Sequence, residues 1–362
     1  MPGPIPIDPT DRDPGNAMTA LPDPDLAELG WTPFFSGQIA AGQDRDCLPV
    51  RVMSVHRGRV TVQGEDFAGS ISSSVPGGGG AEDRPTVGDW LLMDRTTHAV
   101  VRILDRTSLF KRPAPGDDRR IQLIAANVDT LFIVTSCNED FNVARIERYL
   151  VLAREVGVRP VVVLTKADLS DAPDRLVHAA RALQAGLRVE LVDGRDPVSV
   201  ARLADYCGPG QTVALVGSSG VGKSTLVNTL TGSDSIATQP VREDDGKGRH
   251  TTTVREMHRL AGGPDGGGWL VDTPGMRELQ MSEVAAGVTE VFDDVTDVAL
   301  ECRFTNCTHI DQPGCAIQAA MAAGELDPAR VDRWRKLAQE DAVNSGLAAV
   351  RRARQGKGGG RR

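Results

Sequence analysis

Apolar and polar positions follow two different rhythms along this chain. Between residues 31 and 112 the apolar runs are short, at 50–55, 59–63, 90–94 and 100–105, and turn-rich pieces such as the glycine run 77–80 separate them. Short strands with this punctuation predict a small sandwich or barrel. A length of about eighty residues suits a five-stranded OB barrel, although the pattern alone does not select it over an SH3-like one. Beyond that region strands and helices alternate. Apolar runs at 130–135, 160–164, 212–216 and 269–271 predict strands, and 143–156 and 174–185 have helical spacing. This alternation predicts an α/β domain with a largely parallel sheet. From residue 283 the pattern is mainly helical, and Asp327 stands where it can cap a helix over 328–340.

Composition changes little. The chain has 362 residues, 40% hydrophobic and 25% charged, enough for two or three domains with full cores. No apolar run reaches the length that spans a bilayer, and the start lacks the basic and apolar runs of a secretory signal. The expectation is a cytoplasmic protein without a membrane partner, monomeric by default. Net charge is −8, which argues against a generic nucleic-acid binder. The charge is uneven, however. Residues 1–30 form an acidic, proline-rich segment expected to be disordered. Residues 349–362 form a basic tail, also expected to be disordered. Arg102, Arg106, Lys111, Arg112, Arg119 and Arg120 cluster near the end of the expected barrel.

The strand at 212–216 runs into Gly217, Ser218, Ser219, Gly220, Val221, Gly222, Lys223 and Ser224, followed by Thr225 and a helix-like run over 224–230. This matches G-x-x-x-x-G-K-[ST] at every fixed position, in the strand–loop–helix context the motif needs. The glycines let backbone N–H groups face phosphates, and the helix N-terminus adds favourable partial charge. Lys223 reaches the β- and γ-phosphates, and the Ser224 hydroxyl suits Mg²⁺.

Thr165, Lys166, Ala167 and Asp168 follow the strand at 160–164 and resemble the [NT]-K-x-D guanine motif of translation-factor-type GTPases. The Asp168 carboxylate can accept from both the ring N–H and the exocyclic amine of guanine, a donor pair adenine lacks. Lys166 can lay its aliphatic stem over the base. Thr165 stands where Asn is commoner, so one amide's hydrogen bonding is missing and weaker affinity is expected. Asp272, Thr273, Pro274 and Gly275 resemble the D-x-x-G motif, with Asp272 meeting Mg²⁺ through water and the Gly275 N–H meeting the γ-phosphate. Between the two phosphate motifs lie His250 and Thr251–253, of which Thr252 is the preferred Mg²⁺ ligand. The residue after Gly275 is Met276, which cannot orient water as the Ras glutamine does. His250 is the nearest polar candidate for that catalytic role.

The base motif precedes the phosphate loop here, the reverse of the ordinary order. This reordering is the mark of circular permutation, which moves the chain ends and leaves the site unchanged in space. Downstream, Cys302-x4-Cys307-x-His309-x5-Cys315 offers three thiolates and an imidazole, a set suited to one closed, structural Zn²⁺. The other three cysteines, Cys47, Cys137 and Cys207, are scattered.

Taken together, TKAD ahead of GSSGVGKST, then GRHTTT, DTPG and the Cys₃His cluster resemble the RsgA (YjeQ) family of ribosome small-subunit-dependent GTPases. The stretches from Ile124 to Asp129 and from Arg145 to Leu150 match it as well. The resemblance covers about residues 31 to 345. It implies an OB domain at 31–112, a circularly permuted P-loop GTPase domain at 113–282 and a mostly helical zinc domain at 283–348. It further implies GTP and GDP as ligands, Mg²⁺ with GTP, binding to the small ribosomal subunit and its rRNA late in assembly, and turnover stimulated by that subunit. The alternative is a GTP-regulated RNA-binding switch acting off the ribosome. An ATPase or a zinc hydrolase fits the residues less well.

Overall fold

The computed structural model describes residues 25–39, 44, 46–80, 82–114, 117–138, 140–233, 255–261, 267–272 and 284–356. A short helix α1 (Pro33–Ser36) leads into the first rhythm, which folds as an antiparallel OB-type barrel. Its long strand β1 (Cys47–His56) pairs on one edge with β2 (Arg59–Gln63) and on the other with β4 (Trp90–Asp94). Strands β3 (Ala68–Ser72) and β5 (Val100–Ile103) extend from those partners. Val50, Val52, Val60, Val62, Ile71, Leu91, Met93 and Val100 fill the interior. Alternate positions of β1 and β2 supply these side chains, as a period of two requires.

A hairpin of β6 (Leu109–Ala114) and β7 (Asp117–Ala126) follows. The domain boundary expected between residues 112 and 113 therefore falls inside a strand. The polar, basic residues there belong to the paired strands β6 and β7.

The second rhythm forms a sheet in the order β10-β9-β8-β11-β13-β12. Its strands are β8 (Thr130–Ser136), β9 (Arg159–Thr165), β10 (Arg188–Leu191), β11 (Thr212–Val216), β12 (Arg255–Arg259) and β13 (Trp269–Asp272). The first five strands in this order are parallel and β12 is antiparallel. All five residues of β11 and all seven of β8 are buried, as expected for central strands covered on both faces. Helices α2 (Val143–Glu155), α3 (Pro173–Arg181), α4 (Pro197–Val200) and α5 (Lys223–Thr231) connect and cover them. The strand preceding the phosphate loop lies at the centre, although its motif comes second in the chain. This is the circularly permuted arrangement.

Barrel and parallel sheet are continuous. Ser54 and Val55 of β1 pair with Glu256 and Arg255 of β12. Arg51 reinforces the joint. Its side chain is almost fully buried and donates to the carbonyls of Leu29, Gly88 and Asn127 and to Thr212 Oγ1. Burial pulls this guanidinium down to about 10, against the opposing attraction of Asp129 and Asp89.

Residues 25–30 belong to this joint and are not disordered. Leu29 is fully buried, the Glu28 carbonyl accepts from Trp269 Nε1 at 2.8 Å, and Trp31 packs edge-on against Trp90 at 4.7 Å. Leu26 and Leu29 give this stretch the apolar surface that the preceding proline-rich residues lack. Residues 1–24 lie outside the described residues.

The C-terminal part comprises α6 (Ala285–Val291), α7 (Asp293–Leu300), α8 (Ala316–Ala323) and α9 (Pro328–Gly356). The tail expected to be disordered from residue 349 continues α9 through Gly356. Its Ala- and Arg-rich composition has high helix propensity, and that outweighs the charge argument. Residues 357–362 lie outside the described residues. Val284, Val288, Val291, Phe292 and Val295 share one core with Ile146, Tyr149, Leu150 and Ala153 of α2. Among the described residues no helix is long and apolar enough to cross a membrane.

Candidate functional site

The phosphate loop leaves β11 at Gly217, whose φ of 142° belongs to glycine. A Cβ there would stand 2.1 Å from the Val134 carbonyl of β8, so a side chain is excluded by contact as well as by conformation. The loop closes at Gly222, also at positive φ, and α5 begins with Lys223. Lys223 is buried, and its Nζ donates to the carbonyl of Gly217 at 2.7 Å and to that of Ser218. The ammonium is thereby held at the mouth of the loop, beside the N-terminus of α5. Cation and helix end supply the positive potential a phosphate chain needs.

The base motif leaves β9, two strands from β11. Thr165 is buried, and its hydroxyl donates to the Val221 carbonyl at 2.6 Å. Lys166 adopts a left-handed φ of 55°, and its Nζ donates to the Gly220 carbonyl at 2.6 Å. The two motifs, far apart in sequence, are thus tied into one rim. Thr165 fastens the loop after β9 to the glycine-rich loop after β11. Asp168 is exposed beside Arg195, at 3.9 Å.

These residues line a cleft of about 320 Å³ formed by Thr165, Lys166, Asp168, Leu169, Asp193, Gly194, Arg195, Gly222 and Thr225. Asp193, Gly194 and Arg195 were missed in the sequence. Their signal is weak, since they follow β10, a strand of only four residues, in an ordinary polar turn. In the structure the Gly194 carbonyl accepts from Thr229 of α5 at 2.6 Å, which joins this third loop to the helix of the phosphate loop. The cleft lies at the carboxyl ends of the parallel strands, where open α/β sheets bind ligands. A larger cleft of about 460 Å³, which includes Arg154, Arg159 and Arg188, lies at the opposite ends of β9 and β10. The motifs do not reach it.

Asp272 ends β13. The register sets Val271 against Ala214, which brings Asp272 to the level of Leu215, just before the phosphate loop. Thr273, Pro274, Gly275, His250, Thr251, Thr252 and Thr253 lie outside the described residues, so the expectations placed on them remain expectations.

Cys302, Cys307, His309 and Cys315 converge, with ligand atoms all within 4.8 Å of one another. Cys302 Sγ stands 4.0 Å from Cys315 Sγ and 3.4 Å from His309 Nδ1. A tetrahedral ion with bonds of about 2.3 Å to sulfur separates its ligands by roughly these distances. The donor set therefore fits a metal ion, with four candidate ligands among the described residues. Burial raises the Cys302 thiol, but hydrogen bonds from the backbone N–H groups of Ala316 and Ile317 help bring it below its usual value. These groups belong to the start of α8, a helix end that favours thiolate. The scattered cysteines behave differently. Burial, assisted by Asp168, pushes Cys137 up to about 11, and burial alone pushes Cys207 up to about 12. Burial thus favours the protonated thiol at both positions.

Three of the six basic residues near the barrel are committed to internal pairs. Arg106 binds the buried Asp89 at 2.7 and 2.8 Å, Arg102 binds Asp44 at 3.0 Å, and Lys111 binds Glu82 at 2.6 Å. Charge counted along the sequence overstated the positive surface offered here.

The chain was compared with known proteins. A family model described as RsgA GTPase matches residues 103–282. The small ribosomal subunit biogenesis GTPase RsgA of Mesorhizobium japonicum is 48% identical over 350 residues, covering 96% of this chain and 98% of that protein. Among solved structures, YjeQ from Thermotoga maritima superposes with a TM-score of 0.57 at 25% identity, covering 80% of this chain and 97% of that one. YloQ, described as a circularly permuted GTPase, superposes with a TM-score of 0.56 at 22% identity, covering 83% and 97%.

Proposed function

The chain belongs to the RsgA GTPase family and is a GTP hydrolase, and we propose that it binds the small ribosomal subunit late in assembly and is stimulated by it. The observation that carries this reading is the likeness to a small-subunit biogenesis GTPase over nearly the full length of both chains.

The site residues take the following roles. Backbone N–H groups from Gly217 to Thr225 cradle the phosphates, and Lys223 turns from its loop carbonyls to the β- and γ-phosphates. Asp168 accepts from the guanine edge, while Ala167 and Lys166 border the base and Thr165 holds the rim. Asp193, Gly194 and Arg195 close the far side of the base cleft. Ser224 and Thr252 would hold Mg²⁺, with Asp272 near them. Mg²⁺ supplies charge neutralisation between the phosphates when bound. Gly275 offers its N–H to the γ-phosphate, and His250 orients the attacking water. The last assignment fails if His250→Ala keeps full subunit-stimulated turnover.

The Cys₃His cluster holds one Zn²⁺ that staples the segment between α7 and α8. A closed set of four protein ligands suits structure and not catalysis. RNA is met by the barrel, whose fold commonly binds it, and by the β6–β7 hairpin carrying Arg112, Arg119 and Arg120. The protein works as a monomer in the cytoplasm, where its particle is assembled. Co-sedimentation with purified small subunits in the presence of a GTP analogue or GDP tests the partner. Retention with the analogue and release with GDP is expected; no retention with either nucleotide would remove the subunit from this account.

A further inference from the structure

Helix α2 touches both the phosphate loop and the C-terminal helices. Its first turn is capped by Asn142, whose Oδ1 accepts from Arg145 N at 3.0 Å. Arg145 then extends from the helix to two partners. Its Nη1 donates to Asp140 Oδ1 at 2.7 Å and to the hydroxyl of Ser218 in the phosphate loop. Asp140 Oδ2 is buried with no hydrogen-bond partner among the described residues, which leaves the Arg145 contact to compensate that carboxylate. Ser218 directly follows Gly217, where an added Cβ would stand 2.1 Å from the Val134 carbonyl, so the loop starts close against β8. The hydrogen bond at Ser218 therefore acts on a loop already packed near that strand.

The next residues of the same turn bind elsewhere. Glu147 is fully buried and accepts from Arg333 at 2.6 Å and Arg330 at 3.2 Å, both from α9. Arg148 forms a two-pronged pair with Glu340 of α9. Arg330 also holds Asp294 of α7 at 2.7 and 2.9 Å and lies over the Phe292 ring at 4.8 Å. At the far end of α2, Glu155 accepts from Gly287 N at 2.9 Å. A Cβ on Gly287 would stand 2.2 Å from the Val151 carbonyl, so the two helices meet at backbone distance. The α9 helix packs in turn on the metal-binding segment, with Trp334 5.3 Å from His309 and Arg335 donating to the His309 carbonyl.

We propose that Arg145 is a positioning residue of the phosphate loop, acting through Ser218, and that the grip of α9 on Glu147 and Arg148 sets its position. A helix rises 1.5 Å per residue, so sliding α2 by one residue would separate Arg145 from Ser218 and the acid–base pairs from α9 together. The C-terminal helices and the phosphate loop thus share one rigid element.

The proposal rests on GTP hydrolysis, not on the ribosomal partner, so it is tested by basal turnover without subunits. Arg145→Ala, Arg145→Lys, Ser218→Ala and the double variant Arg145→Ala/Ser218→Ala are compared with the wild type, with Arg148→Ala/Glu340→Ala as the distal arm. A charge-assisted hydrogen bond is expected to be worth about tenfold in kcat/KM or in GDP affinity. The Arg145→Ala and Ser218→Ala losses should not add in the double variant, and Arg145→Lys should recover part of the loss. The distal pair should lower kcat/KM in the same direction by a smaller factor. A lowered melting temperature with kcat, KM and GDP affinity unchanged in Arg145→Ala would overturn the proposal. So would fully additive losses, which would show that Arg145 does not act through Ser218.

Discussion

The hydroxyl of Thr165 donates to the carbonyl of Val221 at 2.6 Å, joining the loop after β9 to the glycine-rich loop after β11. The two residues are 56 positions apart, and both are buried. A shape-conserving Thr165→Val change leaves the Val221 carbonyl without its donor. An unsatisfied buried acceptor costs about 1–3 kcal/mol. GDP binding followed by calorimetry should weaken by about tenfold or more, with little change in fold by circular dichroism.

Base selectivity should reside in Asp168. Its carboxylate stands exposed at the cleft, and Arg195 at 3.9 Å is too loosely paired to neutralise it. Asp168→Asn replaces an acceptor with a donor, which opposes the guanine amine and suits the second carbonyl of xanthine. Competition binding should show GDP weakened by about a hundredfold or more and XDP improved, as expected when a polar contact is mismatched.

The joint between barrel and GTPase sheet depends on Arg51. Arg51→Met keeps an unbranched stem and removes the donors serving Leu29, Gly88, Asn127 and Thr212. Several buried oxygens then lose their partner together, for an expected loss of about 3 kcal/mol or more. Urea unfolding followed by tryptophan fluorescence checks this, with Trp31, Trp90 and Trp269 near the joint as reporters.

Removal of the metal should loosen the C-terminal segment without altering the chemistry of the phosphate site. Chelation, or Cys302→Ser, is expected to lower the melting temperature and expose the segment between α7 and α8 to protease. Metal analysis of the purified chain should find about one zinc per molecule in the wild type and a large reduction in Cys302→Ser.

The sequence disclosed what repeats at short range. The strands at 59–63, 90–94 and 212–216 and the phosphate loop could be read from local periodicity and from fixed letters. Long-range pairing left no such trace. Only Ser54 and Val55 meet Glu256 and Arg255, and neither pair carries a pattern that names the other. Arg51 reads in the sequence as a polar position of a strand, yet it lies in a joint made by four distant segments. The turn at 193–195 lacks an invariant chemistry of its own and becomes a wall of the cleft only when β10 lies beside β9. In α2 the spacing revealed a helix, but not that Glu147 sits in the interior between two arginines from α9. Half of the basic cluster is neutralised by acids that lie elsewhere in the chain, Asp44, Glu82 and Asp89, which a local count of charge does not reveal.

The most direct test of the central claim is phosphate release from GTP and ATP, measured with and without purified small ribosomal subunits. The account predicts slow, GTP-selective turnover that rises strongly when the small subunit is added and does not respond to the large subunit. GTP turnover indifferent to the small subunit would contradict the ribosomal role and leave a GTP-regulated switch acting off the ribosome. Equal turnover of ATP would contradict the base-recognition site itself.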